Sequence, residues 1–244
     1  MTNVKSAWDT LWKRPENTLF ASGPSFRHKL RIFLKLVRTY GPGNKVLDIA
    51  CGTGELLRAL PTTYEMTGTD ISQLALDKAS GFSPEIRWQL LNIENDSLPE
   101  KFSMIFCTNA LEEMSDDVMA IKNMAAMLEK DGRLFIITPH RKKYWTRKDK
   151  EAGNKRRYER TDMAALLQSA HLRPVVMKTW GWPLYRIWYR LMTWVNQDTL
   201  WNNQTKKTSA SLASRLAYIG LFIDDLFSWT NQGSILFVIA EHVD

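Results

Sequence analysis

The run Lys45-Val46-Leu47-Asp48-Ile49-Ala50-Cys51-Gly52-Thr53-Gly54-Glu55-Leu56-Leu57 limits what this chain can fold into more than any other stretch. A short apolar strand enters a glycine-containing turn, and the turn opens a helix. Gly52 and Gly54 leave backbone uncovered where a ligand must come close, and the N–H groups at the helix start point toward it. Twenty-two residues past Asp48, Asp70 closes the next strand in Thr67-Gly68-Thr69-Asp70-Ile71. A carboxylate there can accept hydrogen bonds from both ribose hydroxyls of an adenosine ligand. The turn argues against a dinucleotide. The G-x-G-x-x-G/A fingerprint that brings backbone close to a pyrophosphate is broken, because Leu57 stands three residues after Gly54. Asp48 would also repel a diphosphate, yet it suits an ammonium group.

Around this run the chain alternates short apolar segments with helical ones, the pattern of a parallel sheet with crossover helices. Strands are predicted over Lys45–Ile49, Tyr64–Thr69, Ile86–Leu91, Met104–Cys107, Arg133–Thr138, Pro174–Thr179 and Gly233–Glu241. Helices are predicted from a Ser25 cap to about Tyr40, then over Glu55–Ala59, Ser72–Lys78, Ser115–Glu129 with Ser115 as cap and Gly132 past the exit, and from a Thr161 cap to about Ala170. The aromatic-rich stretch from Trp182 to Gln232 is too long for a hairpin. It reads as inserted helices near Leu184–Val195 and Ser209–Trp229.

With 244 residues, 44% apolar and 24% charged, the chain fits one large α/β domain with a buried core. The expected organisation is 1–43 as N-terminal helices or lid, 44–140 as ligand-binding core, 141–160 as a basic loop and 182–232 as the helical insert. No stretch approaches 18 uninterrupted apolar residues and no secretory leader is visible, so the expectation is a cytoplasmic protein without a transmembrane segment. Cys51 and Cys107 fall at strand ends and read as buried free thiols, and no metal set is evident. The segment from Arg141 to Arg160 holds ten Lys or Arg against three Asp or Glu, a surplus equal to the net charge of +7 of the whole chain. Such a segment can attract a phosphate-bearing substrate, an anionic membrane surface or nucleic acid, or be a solvated surface loop.

Several of these motifs, in this order and spacing, resemble the cofactor core of class I S-adenosylmethionine (SAM)-dependent methyltransferases. VLDIACGTG resembles the glycine-rich first motif, GTDIS the acidic second, and LLNIENDSLP the segment that meets the adenine. FSMIFCTNALEEM and LEKDGRLFIITPH resemble the fourth and fifth strands with their helix. The resemblance covers about 90 of the 244 residues. It implies a Rossmann-like, seven-stranded, mostly parallel sheet with helices on both faces, the last strand antiparallel, and the helical aromatic insert between strands 6 and 7. It also implies SAM as cofactor, with S-adenosylhomocysteine as product. Asp48, Ala50, Gly52 and Gly54 would hold the methionine part and Asp70 the ribose. Ile71, Asn92 and Ile93 would meet the adenine, and Asn109 would complete the pocket.

NALEEM resembles the LEHV stretch of the ubiquinone-type small-molecule branch, except that Glu113 stands where that branch has His. For a hydroxyl or carbon-acid acceptor, the candidate general bases are Glu113 and His140, both at carboxyl ends of strands, where open α/β sheets place ligands. Aromatic walls for a flat or greasy acceptor are expected from Trp8, Trp12, Tyr144, Trp145, Trp182 and Tyr185, with core packing as the competing role for the same rings. The reading is therefore methyl transfer, O-methylation favoured, to a small hydrophobic or aromatic metabolite. A nucleic-acid methyltransferase using the basic loop is the rival, disfavoured because Asn109-Ala110-Leu111 replaces the Asn/Asp-Pro-Pro-aromatic motif of enzymes that methylate base amines. A non-catalytic SAM-binding regulator is the second rival. Peripheral membrane contact, and monomer against homodimer, stay open.

Overall fold

A computed structural model describes Trp12, residues 23–194 and residues 212–243. The elements in chain order are α1 (Pro24–Tyr40), β1 (Lys45–Ile49), α2 (Glu55–Arg58), β2 (Glu65–Asp70), α3 (Gln73–Phe82), β3 (Arg87–Leu90), β4 (Phe102–Thr108), α4 (Asp117–Ala126), β5 (Leu128–Pro139), α5 (Arg147–Glu151), α6 (Arg160–Gln168), β6 (Leu172–Trp180), α7 (Leu184–Trp194), α8 (Leu212–Gly220) and β7 (Ile235–His242). Short 3-10 turns occupy Leu111–Glu113, Lys142–Tyr144 and Leu221–Phe227. The strands form one seven-stranded sheet in the order β3-β2-β1-β4-β5-β7-β6. The pairings from β3 through β5 are parallel, and β7 runs antiparallel to both β5 and β6.

The strands are apolar on both faces, and their period of two sorts them into two cores. Leu47, Ile49, Ile105, Cys107, Leu134, Ile136 and Val238 point to one side, against Ile121 and Met124 of α4 and Met163 and Leu167 of α6. Val46, Met104, Phe106, Phe135, Ile137, Phe237 and Ile239 point to the other, against Ile32, Phe33 and Val37 of α1. There Phe33 meets Phe106 edge-on at 4.9 Å, and Phe106 meets Phe135 edge-on at 5.5 Å, the arrangement that the ring quadrupoles prefer. Covering both faces leaves the carboxyl edge of the sheet as the natural ligand crevice. The mouth lies between β1 and β4, where the crossovers reverse direction.

Three helix starts differ from expectation, each time because another group answers the exposed N–H donors. Gly23 stands at the cap of α1, and Pro24, which has no N–H to satisfy, takes the first turn where Ser25 was expected to cap. Asp116 rather than Ser115 caps α4, accepting from the Met119 N–H at 2.8 Å. Glu159 and Asp162 form a capping box around the start of α6, which leaves Thr161 inside the helix. The helix predicted to reach Glu129 ends at Ala126, because Phe102 N–H donates to the Met127 carbonyl and Leu128 already pairs with Phe102 in the sheet. Gly132 therefore lies in β5 and ends no helix.

The segment between β6 and β7 is anchored by two adjacent acids of its 3-10 turn. Asp224 accepts from the N–H groups of Leu184 and Tyr185 at 2.8 and 2.9 Å, which caps α7 from outside. Asp225 accepts from His28 at 3.0 Å and pairs with Arg31, which ties the segment to α1. Trp8, and the part of the insert spanning 195–211, lie outside the described residues.

Candidate functional site

Asp48 sits one residue before the end of β1 with 2% of its surface exposed, and its Oδ1 has no hydrogen-bond partner. Burial, reinforced by the charges of Asp70 and Glu55, pushes its carboxyl well above the usual carboxylate range. A buried, unsatisfied acid is costly unless something cationic or hydrogen-bonding completes it.

Beyond Asp48 the chain turns through three left-handed residues, Ala50, Gly52 and Gly54, with φ of 54°, 56° and 78°. The Asp70 carboxylate braces this turn. Its Oδ2 accepts from Gly52 N–H and its Oδ1 from Ser72 N–H, both at 2.9 Å, which fixes the first turn to the end of β2. Gly54 answers a second demand, because a Cβ there would come within 2.3 Å of the Trp88 ring, which also lies against Gly68. Trp88 is thus the floor under the turn. Trp12 lies over its outer side, its indole edge 3.1 Å from where a Gly52 Cβ would stand and its carbonyl held by Lys78. Trp12 therefore borders the glycine turn and does not line the aromatic cavity described below.

The adenine-side residues are less open than the motif suggests. Asn92 uses its side-chain oxygen to accept from the Glu94 N–H at 3.1 Å, turning the chain on itself. The Ile93 side chain is buried in the core, and its carbonyl accepts from Asn123 Nδ2 at 2.7 Å. Ile71, half-buried, follows Asp70 directly.

At the carboxyl end of β4 a cavity of about 300 Å³ opens. Asn109, Glu112 and Glu113 form one end, and Tyr144, Trp145 and Tyr185 line its length. Glu112 is buried, with Thr138 Oγ1 donating to its Oε2 at 3.1 Å, and desolvation pushes it up to about 7. Glu113 is pushed up to about 9 by desolvation and by the charges of Glu112 and Asp70. The influence of Asp70 ties this cavity to the glycine turn. At neutral pH Glu113 holds its proton, so in this state it is an acid. Lys29 of α1 donates to Asn109 Oδ1 at 3.1 Å and feels Glu112.

His140 is not brought to this cavity. It has no exposed surface, and its ring nitrogens are engaged with the Tyr158 carbonyl at 2.7 Å and Asn231 Oδ1 at 2.9 Å. Burial lowers its affinity for a proton. That combination fits a histidine that joins β5 to the following segment. Trp182 packs edge-on against Phe227 at 5.0 Å, outside the cavity lining.

The basic segment is folded in at one point and paired at several others. Arg157 and Asp149 form a buried two-pronged pair, with Nε to Oδ1 at 2.8 Å and a terminal nitrogen to Oδ2 at 3.0 Å. Arg157 also donates to the His140 carbonyl at 3.1 Å. Arg156 pairs with Asp117, Lys142 with Asp162 and Arg147 with Glu151. Of the three rings in the segment, Tyr144 and Tyr158 are buried and only Trp145 is exposed, so no row of rings is presented to stack on bases. Cys51 and Cys107 are buried free thiols, pushed up by burial, as expected for packing groups. Among the described residues no cluster fit for a metal occurs, and no helix is long and apolar enough to cross a membrane.

Sequence reasoning missed Glu112, Lys29 and Trp88. Lys29 had a signal: it shares a face of α1 with the buried Ile32 and Phe33, an apolar stripe where a lysine is out of place. Glu112 had only its adjacency to Glu113, and which of the two turns inward is decided by the 3-10 turn.

The family described as "Methyltransferase domain" matches residues 46–132. Over 107 residues the chain is 35% identical to a ubiquinone biosynthesis O-methyltransferase of Coxiella burnetii (strain Dugway 5J108-111), covering 41% of this chain and 45% of that one. Over 110 residues it is 34% identical to the protein of the same name from Actinobacillus pleuropneumoniae serotype 7 (strain AP76), covering 41% and 47%. The chain thus spans less than half the length of these curated relatives. Among solved structures it resembles the N-methyltransferase NodS of Bradyrhizobium japonicum WM9, crystallised with S-adenosyl-L-homocysteine. The TM-score is 0.61 at 19% identity, over 75% of this chain and 94% of that one, a likeness of fold.

Proposed function

We propose that this chain, whose residues 46–132 match a methyltransferase domain, is a class I SAM-dependent methyltransferase that methylates a small molecule, at oxygen in the favoured reading. The observation that carries the proposal is the unsatisfied Oδ1 of buried Asp48 beside the left-handed turn, with the cavity opening past Glu113. The residues fit the cofactor. The ammonium of a methionine moiety would complete Asp48, and the turn at Ala50, Gly52 and Gly54 leaves backbone room for its chain. The Asp70 oxygens, each able to accept more than one hydrogen bond, suit ribose hydroxyls. Ile71 offers an apolar contact for adenine, with Asn92 and Ile93 at its edge.

SAM supplies a methyl already activated on a sulfonium, so the protein's task is to align an acceptor with it and exclude water. Alignment of this kind supplies on the order of 7 to 11 kcal/mol of barrier lowering. Tyr144, Trp145 and Tyr185 form apolar walls for the acceptor. Glu113 and Glu112 line one end of the cavity, both with raised proton affinities, Glu112 to about 7, where a carboxyl exchanges protons near neutrality, and Glu113 to about 9. A cation brought near them favours ionisation and turns an acid into a base. The ubiquinone-biosynthesis relatives, named O-methyltransferases, support oxygen as the accepting atom.

The test is calorimetry of S-adenosylhomocysteine binding, followed by turnover of SAM with a panel of phenols. Binding with turnover supports the enzyme. Binding without turnover of any acceptor favours a non-catalytic SAM binder, and no binding removes the proposal.

A further inference from the structure

The cavity has two unlike ends. The two raised glutamates lie at the β4 end, while the far end is framed by Lys143, Lys148, Arg186 and Arg190. The third acid in the lining, Asp149, is already committed to Arg157. Arg186 lies flat on Tyr144, its guanidinium carbon 3.3 Å from the ring centre, and its buried Nη1 has no hydrogen-bond partner. Burial and the like charges of Arg190, Arg141 and Arg157 hold Arg186 below its ordinary value. Burial does the same to Lys148, against the pull of Glu151. Lys148 Nζ stands 5.4 Å from the Tyr189 ring centre, and Lys143 Nζ 5.5 Å from that of Tyr144. Cations packed on rings and part-desolvated, as Arg186 and Lys148 are, lower their energy when an anion joins them. An arginine fork with an unmet donor matches the oxygens of a phosphate better than a neutral group.

Resting on the methyl-transfer reading above, we propose that this end of the cavity binds a phosphate carried by the acceptor. The substrate is then a small phosphate ester, its phosphate among Lys143, Lys148, Arg186 and Arg190 and its methylated atom toward Glu113. A volume of about 300 Å³ admits one ring-sized body with one such group.

The experiment is calorimetry on the full chain, with and without saturating S-adenosylhomocysteine, using phenyl phosphate, phenol and inorganic phosphate as probes. Phenyl phosphate should bind at least about tenfold more tightly than phenol, and inorganic phosphate should compete with it. Arg186→Gln and Lys148→Gln should each weaken phenyl phosphate about tenfold while leaving phenol and S-adenosylhomocysteine binding unchanged, and Arg186→Lys should keep part of the affinity. Two variants on different helices guard against one that merely unfolds, and a thermal melt checks each. Equal affinity for phenol and phenyl phosphate, or phenyl phosphate binding indifferent to both variants, overturns the proposal. So does co-sedimentation with phosphatidylglycerol but not phosphatidylcholine vesicles when phenyl phosphate fails to bind, since the charge then serves a lipid surface. Loss of S-adenosylhomocysteine binding with phenyl phosphate binding retained removes methyl transfer and leaves the anion site standing.

Discussion

The glycine turn and the far end of the cavity carry opposite electrostatic strain. At the turn, Asp48, Asp70 and Glu55 crowd one another, and Asp48 is driven toward its protonated form by burial and by its acidic neighbours. At the far end the like charges of Arg190, Arg141 and Arg157 bear on Arg186, which burial also holds below its ordinary value. Each region would be stabilised by a ligand of the opposite sign, a cation at the first and an anion at the second. Two such strains in one structure suit the proposed transfer between a sulfonium donor and a separate acceptor, which needs a place for each.

The comparison breaks most visibly if the turn does not depend on its carboxylate. Asp70→Ala removes the brace on Gly52 and Ser72 together with the proposed ribose acceptor. Charge-assisted hydrogen bonds contribute roughly 1.5 to 3 kcal/mol each, so losing two should weaken S-adenosylhomocysteine by about 100-fold or more in calorimetry. Phenyl phosphate affinity should not move. Parallel loss of both ligands would mean that the two regions are one site.

Asp48→Asn sharpens the same contrast with a smaller effect of mixed sign. The amide keeps the shape and removes a carboxyl whose ionisation the buried site opposes, so the melting temperature without ligand should rise by a few degrees. Cofactor affinity should fall by roughly ten- to a hundredfold through loss of one charged partner. A variant that loses stability and keeps affinity would show that Asp48 is an ordinary packing acid.

How legible each region was in the sequence follows from how it is assembled. Asp48, the left-handed turn, Asp70 and Ile71 come from two consecutive strands, so their spacing along the chain already reported their proximity. The cavity draws Lys143 and Lys148 from one segment and Arg186 and Arg190 from α7 at its far end, and Lys29 of α1 and Glu112 at the other. No local pattern joins them. The basic surplus between Arg141 and Arg160 was visible, but the sequence did not say that Asp149 would consume Arg157 in a buried pair, nor that Tyr144 and Tyr158 would turn inward. His140 shows the opposite error. A histidine at a strand's carboxyl end looks catalytic, yet the Tyr158 carbonyl and Asn231, 18 and 91 residues away, occupy its nitrogens. The seven strands were legible because apolar runs of that length have few alternatives. Helix starts were not, because several capping groups compete within three residues and tertiary contacts choose among them.

The glutamate pair lies between the two regions and gives a pH test of the boundary. Both folded-state values are raised above the ordinary 4.5, Glu112 to about 7 and Glu113 to about 9. A raised acid favours the folded state while protonated. Its contribution is fully present below about pH 4.5 and is lost as pH rises through the folded value. The ligand-free melting temperature should therefore fall between about pH 5 and pH 9, and Glu113→Gln should flatten the upper half of that fall. An unchanged slope would show that Glu113 is open to water and titrates normally.

The smallest effect is expected at Trp145, the wall residue with 43% of its surface exposed. It lines the cavity and carries no charge, so it can touch an acceptor body without pairing with cofactor or phosphate. Removing a part-exposed ring forfeits only some of its burial, on the order of 1 kcal/mol, so Trp145→Ala should raise the acceptor KM about fivefold. Because the ring belongs to neither charged region, kcat and S-adenosylhomocysteine affinity should stay put. A fall in kcat at unchanged KM would mean that the ring shapes the reacting geometry, and the wall would then belong to the methyl-transfer end.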